Sequence, residues 1–231
     1  MDPIIFTPRL KLTLVTKAER GSPEFEWLHE LHSNEKSTWW SIFGQAKSIE
    51  DTEKVTKGYL PTNEGEENTY RVAYAVHKVL ESMNGSIEGE PQPAEQGKKS
   101  TEFIGLVTLK SLNAGSLALS EDLTLPVAAA TTTLTVELAY MFLPIGWGKG
   151  YATESVEAVF ESCKRARSFW TPFSKLYIRA IVNGGNSASL RVMDKTGMTK
   201  RGVYDWTGKI FLAGEWRERD SLHIFGMHLL E

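Results

Sequence analysis

Alternating apolar and polar residues predict most of the strands in this sequence. Leu10, Leu12 and Leu14 alternate with polar residues within 9–15, which predicts a strand with one buried face. Stretches rich in valine, isoleucine and aromatic residues predict further strands at 70–80, 102–109, 175–182, 209–213 and 221–230. These stretches and a stronger strand pattern at 133–143 make up the expected sheet.

The strongest strand pattern lies at 133–143, in the segment TLTVELAYMFL. Both of its faces are largely apolar. One face carries Leu134, Val136, Leu138, Tyr140 and Phe142, and the other carries Thr135, Glu137, Ala139, Met141 and Leu143. A strand with two apolar faces is typical of the buried centre of a sheet, so we expect this strand to be central and covered on both sides.

Four stretches have the spacing of amphipathic helices. Phe25, Leu28 and Leu31 recur at helical spacing within 24–32, directly after a Ser22-Pro23 start signal. The others are 48–60, a stretch from 156 to about 167 with Val156, Val159, Phe160 and Cys163 on one stripe, and 187–196, which Gly197 ends. The order of strands and helices predicts an α/β (α+β) layered fold with a mixed sheet.

Two stretches lack such patterns. Residues 83–100 are rich in glycine, proline and charge, which predicts a flexible insertion between two strands. Residues 113–131 are interpreted as a second loop insertion, because they also carry little periodic signal. A length of 231 residues is near the upper end for one domain, so we expect a single domain over 1–231.

Composition narrows the class of protein. Lys plus Arg total 26 and Asp plus Glu total 29, and this net charge of -3 gives no reason to expect nucleic acid as a partner. Cys163 is the sole cysteine and lies on an apolar helix stripe, so it is expected to be buried and not nucleophilic. The N-terminus does not resemble a secretion signal, and no stretch has the ~20 apolar residues of a membrane span. We therefore expect a cytoplasmic protein without membrane contact, with the nucleus as the other open compartment.

Two histidines are candidate metal ligands. His29 and His32 lie one helical turn apart and could share an ion, but the sequence offers no third ligand. We therefore expect no metal site, and exposed polar positions on the helix for both residues.

A glycine-rich turn, GWGKGYATES at 146–155, joins the strongest strand pattern to a helix. A helix start presents unpaired N–H groups and the positive end of its dipole, and glycines let the backbone approach a ligand closely. Gly148, Gly150 and the amides through Ala152 and Thr153 therefore predict a phosphate cradle, with Lys149 adding charge. A surface turn without a ligand is the alternative. The Walker pattern fails because a glycine follows Lys149, and a dinucleotide fold fails because no carboxylate ends the next strand.

Two segments together resemble a known family. VELAYMFLPIGWGKGYATES, followed after one helix and one strand by NSASLRVMDKTGM, is similar to the GNAT superfamily of acyl-CoA-dependent N-acetyltransferases, in particular its RimJ/RimL-like branch. The resemblance implies a GNAT-like mixed, mostly antiparallel central sheet flanked by helices, with splayed central strands. It also implies acetyl-CoA as the cofactor.

The resemblance assigns cofactor contacts to three places. The pyrophosphate would lie against the main-chain amides of Trp147, Gly148, Lys149, Gly150, Tyr151, Ala152 and Thr153. The pantetheine arm would pair with main chain near Met141, Phe142 and Leu143. Asn186 would bind this arm or order its loop.

The implied reaction is direct attack of a primary amine on the thioester of acetyl-CoA in a ternary complex. It needs a base, a donor for the oxyanion and a proton for the leaving thiolate. Glu137 is the one carboxylate inside the central strand and is the candidate base; an ion pair with a neighbouring Arg or Lys is the alternative. Met193 occupies the position of the family's usual tyrosine acid, so Ser189 or water is the candidate proton donor.

Trp39, Trp40 and Tyr140 are the candidate contacts for the acceptor, which the resemblance implies is a small-molecule amine or a peptide or protein amine. Aromatic packing is the alternative for the two tryptophans. Two other functions stay open. One is a catalytically silent acyl-CoA-binding or interaction module with the same fold, prompted by Met193, and the other is a nucleotide-binding protein.

Overall fold

An eight-stranded sheet lies at the centre of the protein, in a computed structural model that describes residues 1–61, 69–80 and 100–231. The strands are β1 (Ile4–Phe6), β2 (Leu10–Leu14), β3 (Arg71–Val79), β4 (Thr101–Ser111), β5 (Thr133–Phe142), β6 (Lys175–Asn183), β7 (Thr199–Leu212) and β8 (Glu215–Leu230). Their order across the sheet is β1-β2-β3-β4-β5-β6-β8-β7. Neighbours are antiparallel except for the parallel pair β5 and β6.

Helices cover both faces of this sheet. In the described residues they are α1 (Pro23–Ser33), α2 (Ile49–Thr56), α3 (Tyr151–Arg165) and α4 (Ser187–Lys195). Leu28 and Leu31 of α1 belong to one apolar cluster with β3 and β4, whereas the apolar stripe of α3 and Met193 of α4 belong to another with β5 and β6. No helix in these ranges is both long and apolar enough to cross a lipid bilayer. The predicted mixed, mostly antiparallel sheet flanked by helices is confirmed.

The two central strands separate along their length. Parallel pairing of β5 with β6 runs from Thr133 opposite Lys175 to Glu137 opposite Arg179 and ends there. Beyond this point β5 still pairs with β4 up to Phe142, and β6 still pairs with β8 up to Asn183. The splayed central strands that the resemblance implied are therefore present. We call the gap between the C-terminal halves of β5 and β6 the slot.

β5 is central, as predicted, but its second face is covered only in part. Leu134, Val136 and Leu138 are buried on the face under α3 and α4. On the other face Glu137 is partly exposed and Ala139 is exposed. The prediction of cover on both sides was wrong for this middle stretch, because the apolar cluster of α1 reaches β5 only at Met141 and the segment 113–131 lies over it only near Thr133 and Thr135.

The ends of the sheet differ from the sequence prediction. β1 was not predicted, and β7 begins at Thr199 instead of 209. β7 is an edge strand whose side chains are mostly exposed, so its sequence lacks the apolar alternation that marks a half-buried strand. Partner strands, and not local pattern, define these elements.

The two predicted insertions differ in what the structure describes. Nearly all of 83–100 lies outside the described residues. The segment 113–131 contains neither strand nor α-helix, only the short 3-10 turns Glu121–Leu123 and Val127–Thr131. Leu123 is buried, and it lies so close to Gly202 of β7 that a Cβ there would meet its side chain at 2.4 Å. The segment is therefore packed onto the face of the sheet that α1 leaves uncovered.

His32 is buried, so the expectation of an exposed position was wrong for this residue. Its Nε2 lies 3.0 Å from the hydroxyl of Tyr59, and Nδ1 of His29 lies 2.8 Å from the hydroxyl of Thr52 in α2. Burial lowers the pKa of His32 to about 4. The two histidines thus join α1 to the α2 region by hydrogen bonds.

Replacement of His32 by glutamine is expected to make stability less dependent on pH. The unfolded chain binds a proton near the ordinary pKa of about 6.5, whereas folded His32 resists protonation until about 4, so its stabilising contribution is complete above 6.5 and is lost as pH falls towards 4. Between pH 7 and pH 5 this residue should remove about 2 kcal/mol from the free energy of unfolding. Urea unfolding of both proteins at the two pH values measures the difference, and parallel pH dependence would contradict the assignment.

Candidate active site

Backbone groups of every second residue of β5 point into the slot between β5 and β6. The N–H of Leu143 donates to the carbonyl of Ile104 at 2.9 Å, so alternation in the antiparallel ladder turns the backbone groups of Leu143 and Met141 towards β4. Those of Tyr140 and Phe142 face the slot instead. The carbonyl of Phe142 accepts the indole N–H of Trp147 at 2.7 Å, which leaves the Phe142 N–H and the Tyr140 backbone at the slot edge.

The glycine turn leads from the top of β5 into α3. A 3-10 turn, Pro144–Gly146, comes first, and the Trp147 N–H donates to the Pro144 carbonyl at 3.1 Å. Gly148 and Gly150 then take positive φ values of 71° and 79°, a conformation that glycine adopts without a Cβ clash. The predicted cradle of backbone amides therefore begins at Gly148, because the amide of Trp147 is already paired.

The N-terminus of α3 is open. Its first helical hydrogen bond runs from the Glu154 N–H to the Gly150 carbonyl, so the three preceding amides of the helix, at 151–153, have no partner within it. Gly150 supplies no side-chain cap, whereas Ser22, Ser48 and Asn186 cap α1, α2 and α4 with side-chain oxygens. Uncapped amides at the positive end of a helix dipole are suited to an anion.

Arg9 braces this turn, a contact that the sequence analysis missed. Its Nη1 donates to the Lys149 carbonyl at 2.9 Å, and its guanidinium lies 4.8 Å from the centre of the Tyr151 ring. Arg9 also forms an ion pair with Glu154 at 2.5 Å, and the Thr7 hydroxyl donates to the same carboxylate. No local pattern relates a residue at the start of β2 to a turn 140 positions later. Only the packing of α3 against β2 reveals the contact.

Glu137 lies at the point where the two strands separate. Nε and Nη2 of Arg179 donate to its Oε2 at 3.1 and 2.6 Å. The Arg179 side chain is 4% exposed and that of Glu137 is 37% exposed, so the carboxylate faces the open side of the sheet. The ion pair considered as an alternative is therefore present, while the role of Glu137 as a base stays a prediction.

The first turn of α4 borders the slot on the side of α3. The side-chain oxygen of Asn186 accepts the Ser189 N–H at 3.1 Å, which caps the helix. The Tyr140 hydroxyl lies 3.4 Å from the Ser189 carbonyl, and burial raises the pKa of Tyr140 to about 12. Met193 is fully buried in the apolar core. The Tyr140 hydroxyl and the Ser189 backbone thus meet at this end of the slot.

Trp40 lies just beyond the end of β6, and Trp39 lies at the tip of the β7–β8 hairpin. The Trp39 carbonyl accepts the N–H of Ala213, at the tip of the β7–β8 hairpin. Trp40 packs against Gly185, where a Cβ would meet its ring at 2.9 Å, and the Arg217 guanidinium lies 5.6 Å from its ring centre. The connection between α1 and α2 therefore contacts both the end of β6 and the β7–β8 hairpin.

Three other features are the cysteine, the side-chain types that bind metals and a cavity beside Pro144, at the start of the glycine turn. Cys163 is buried, as predicted, and burial raises the pKa of its thiol to about 12. Within the described ranges no group of three His, Cys, Asp or Glu side chains is arranged to hold a metal ion. A cavity of about 480 Å³ opens between α1 and the ends of β4 and β5, and Trp27, Glu30 and Pro144 are among its lining residues.

A mixed sheet flanked by helices is the fold that this protein shares with solved acetyltransferases. Residues 9–199 match the family described as "Acetyltransferase (GNAT) domain", and the chain belongs to this family. Among curated proteins, a segment of 63 residues is 36% identical to the uncharacterized protein YkkB of Bacillus subtilis (strain 168). That match covers 27% of this chain and 33% of YkkB, so it spans about a third of the relative.

Solved structures share the fold at low sequence identity. An acetyltransferase (GNAT family) from Bacillus anthracis is 17% identical with a TM-score of 0.55, covering 98% of each chain. Spermidine N-acetyltransferase from Vibrio cholerae, solved with CoA and spermine, is 16% identical with a TM-score of 0.55, covering 94% of this chain and 95% of that one. The Salmonella typhimurium acetyl transferase that modifies the N-terminal serine of ribosomal protein L7/L12 is 14% identical with a TM-score of 0.56, covering 97% and 98%.

Proposed function

We propose that this protein transfers the acetyl group of acetyl-CoA to a primary amine, by direct attack in a ternary complex. The observation that carries the proposal is the uncapped N-terminus of α3 behind a positive-φ glycine turn, at the end of the splayed strand β5. An anion binds best at such a helix start. We assign the site to the RimJ/RimL-like branch and the whole chain to one cytoplasmic domain.

The residues present fit coenzyme A. Gly148, Lys149, Gly150 and the amides of Tyr151–Thr153 would bind its diphosphate, and the slot-facing backbone of β5 would pair with the pantetheine arm. Two proteins with this fold, the Vibrio cholerae spermidine N-acetyltransferase and a RimL acetyltransferase, were solved in complex with CoA. When bound, acetyl-CoA supplies the thioester whose carbonyl carbon receives the amine.

The side chains supply the proton transfers. Glu137 accepts a proton from the acceptor ammonium, which frees the nitrogen lone pair to form the C–N bond. The Phe142 N–H at the slot edge donates to the carbonyl oxygen as it becomes negative. On collapse the C–S bond would break, and the second proton of the attacking nitrogen would pass to the leaving thiolate through the Ser189 hydroxyl or a water molecule.

The acceptor binds between the slot and the aromatic residues above it. Trp39, Trp40 and Tyr140 are the proposed contacts, because they belong to the elements that enclose the upper end of β6. The acceptor class is a small-molecule amine or a peptide or protein amine. The Vibrio cholerae and Salmonella neighbours are described with one of each kind, spermidine and an N-terminal serine.

An acceptor panel tests the proposal. The protein is mixed with acetyl-CoA and with spermidine, an amino sugar, a lysine peptide and a peptide with N-terminal serine, and thiol release is measured. Release above the rate without acceptor supports an enzyme. CoA binding without release across the panel supports a silent acyl-CoA-binding module, the candidate that the burial of Met193 favours. Affinity for ATP or NAD equal to that for CoA would overturn both.

A further inference from the structure

Arg179 meets Glu137 where β5 and β6 diverge, and this geometry couples the strand junction to the carboxylate. The two residues form the last register pair between the parallel strands. Both of the donated bonds reach the same carboxylate oxygen, Oε2. This fork leaves Oε1 for another partner while it fixes the orientation of the side chain.

Arg179 has further contacts, besides those with Glu137, that fix its position. Its side chain is 4% exposed, so its charge depends on protein partners. Nη1 lies 3.4 Å from the Leu117 carbonyl, in the segment 113–131. The same segment encloses a cavity of about 230 Å³ against Arg179, with Leu123 and Pro126 among its lining residues. The segment therefore contacts the guanidinium through Nη1, whereas Glu137 is bonded to Nε and Nη2.

Lys110 is a second cation beside Glu137 and serves as the comparison for Arg179. It lies directly opposite Glu137 on β4, so the carboxylate has one cation on each neighbouring strand. Cross-strand partners have Cβ atoms about 5 Å apart. Glu137 nevertheless forms its ion pair with Arg179, and no pair with Lys110 within 4.0 Å is found between these two described residues.

We propose that Arg179 is a positioning residue, which orients Glu137 so that Oε1 receives the acceptor proton, and that the segment 113–131 holds Arg179 in place. This inference rests on the proposed function, in which Glu137 is the base. Without the guanidinium, the carboxylate turns towards Lys110 and away from the slot. Glu137 then still has a cation beside it, Lys110, but its Oε1 no longer lies where it can accept the proton of the acceptor.

Three variants test the role: Arg179→Met, Arg179→Lys and Lys110→Met. Calorimetry with CoA counts competent sites, and kcat per competent site is measured with the best acceptor of the panel. We expect Arg179→Met to lower kcat roughly 10- to 100-fold, because small misplacements of reacting groups have effects of this size. Arg179→Lys should recover part of the loss. Lys110→Met should stay within about twofold of the wild type, and KM for acetyl-CoA should stay unchanged in all three.

Two results would overturn the role of Arg179. One is equal kcat per competent site in Arg179→Met and Lys110→Met. The other is a loss in Arg179→Met that is explained entirely by fewer CoA-binding sites, as a purely structural residue would produce. If the wild type acetylates no amine, the proposed function fails instead. A crystal structure of Arg179→Met then decides the inference alone, since Glu137 that keeps its wild-type orientation contradicts it.

Discussion

Glu137→Gln is expected to lower kcat by about 10²- to 10³-fold while leaving the affinity for CoA unchanged. General-base catalysis contributes effects of this size. Glutamine has the shape of glutamate and can accept the Arg179 hydrogen bonds through its oxygen, so the splayed strands keep their geometry. It cannot take the ammonium proton. Steady-state kinetics with acetyl-CoA and the best acceptor measures kcat, and calorimetry measures CoA binding.

Glu53→Gln is the matched control for this substitution. Glu53 is also an ion-paired glutamate, bonded to Arg20 on the exposed side of α2. Its replacement should leave kcat within about twofold, because exposed pairs contribute little to stability and none of its contacts reach the slot. Equal turnover in wild type, Glu53→Gln and Glu137→Gln would remove Glu137 from the mechanism.

Gly150→Asp is expected to weaken CoA binding by roughly 100-fold relative to Gly150→Asn, because a negative charge a few ångströms from a diphosphate costs several kcal/mol. Gly150 has a φ of 79°, and a Cβ there would have Arg9 Nη2 as its nearest atom, at 3.5 Å. Asp and Asn have the same size, and both tolerate positive φ better than most residues. The difference between them therefore isolates charge from strain. Arg9 offsets little of this charge, because it is already paired with Glu154.

Calorimetric titration with CoA measures this comparison. The melting temperatures of the two variants should agree, because they share the backbone strain. Equal affinities of the Asp and Asn variants for CoA would show that the diphosphate does not lie against this turn. That result would contradict the cradle, and with it the acyl-transfer proposal.

Local patterns predicted the elements nearest the site. The alternation in 133–143 predicted β5 to within one residue, and Ser22 and Ser48 predicted the starts of α1 and α2 through their caps. These signals depend on residues only two to four positions apart, such as one face of a strand or a cap and the amide that it pairs with. The element therefore forms as predicted once that face is buried or that amide is paired. The glycine turn belongs to this group.

The features that the sequence did not predict arise from contacts with neighbouring elements. β1 has three residues and takes its strand conformation from pairing with β2. The first half of β7 is polar and exposed, and its pairing with β8 makes it a strand. His32 is buried because α2 and Tyr59 cover α1 at that point, which a single helix pattern does not show.

Sequence alone determined that a central strand carrying Glu137 runs into a glycine-rich turn and the start of a helix, whereas the positive φ values and the missing side-chain cap were found in the structure. Tertiary structure decided which charges meet there. Arg179 is 42 positions from Glu137, and Arg9 is 145 positions from Glu154, so both pairs depend on strand order and on the packing of α3 against β2. The partly open face of β5 has the same origin, because the positions of α1 and of the segment 113–131 across the sheet are properties of the assembled layers. Periodicity along the chain reports which face of an element is apolar, whereas packing determines what covers that face.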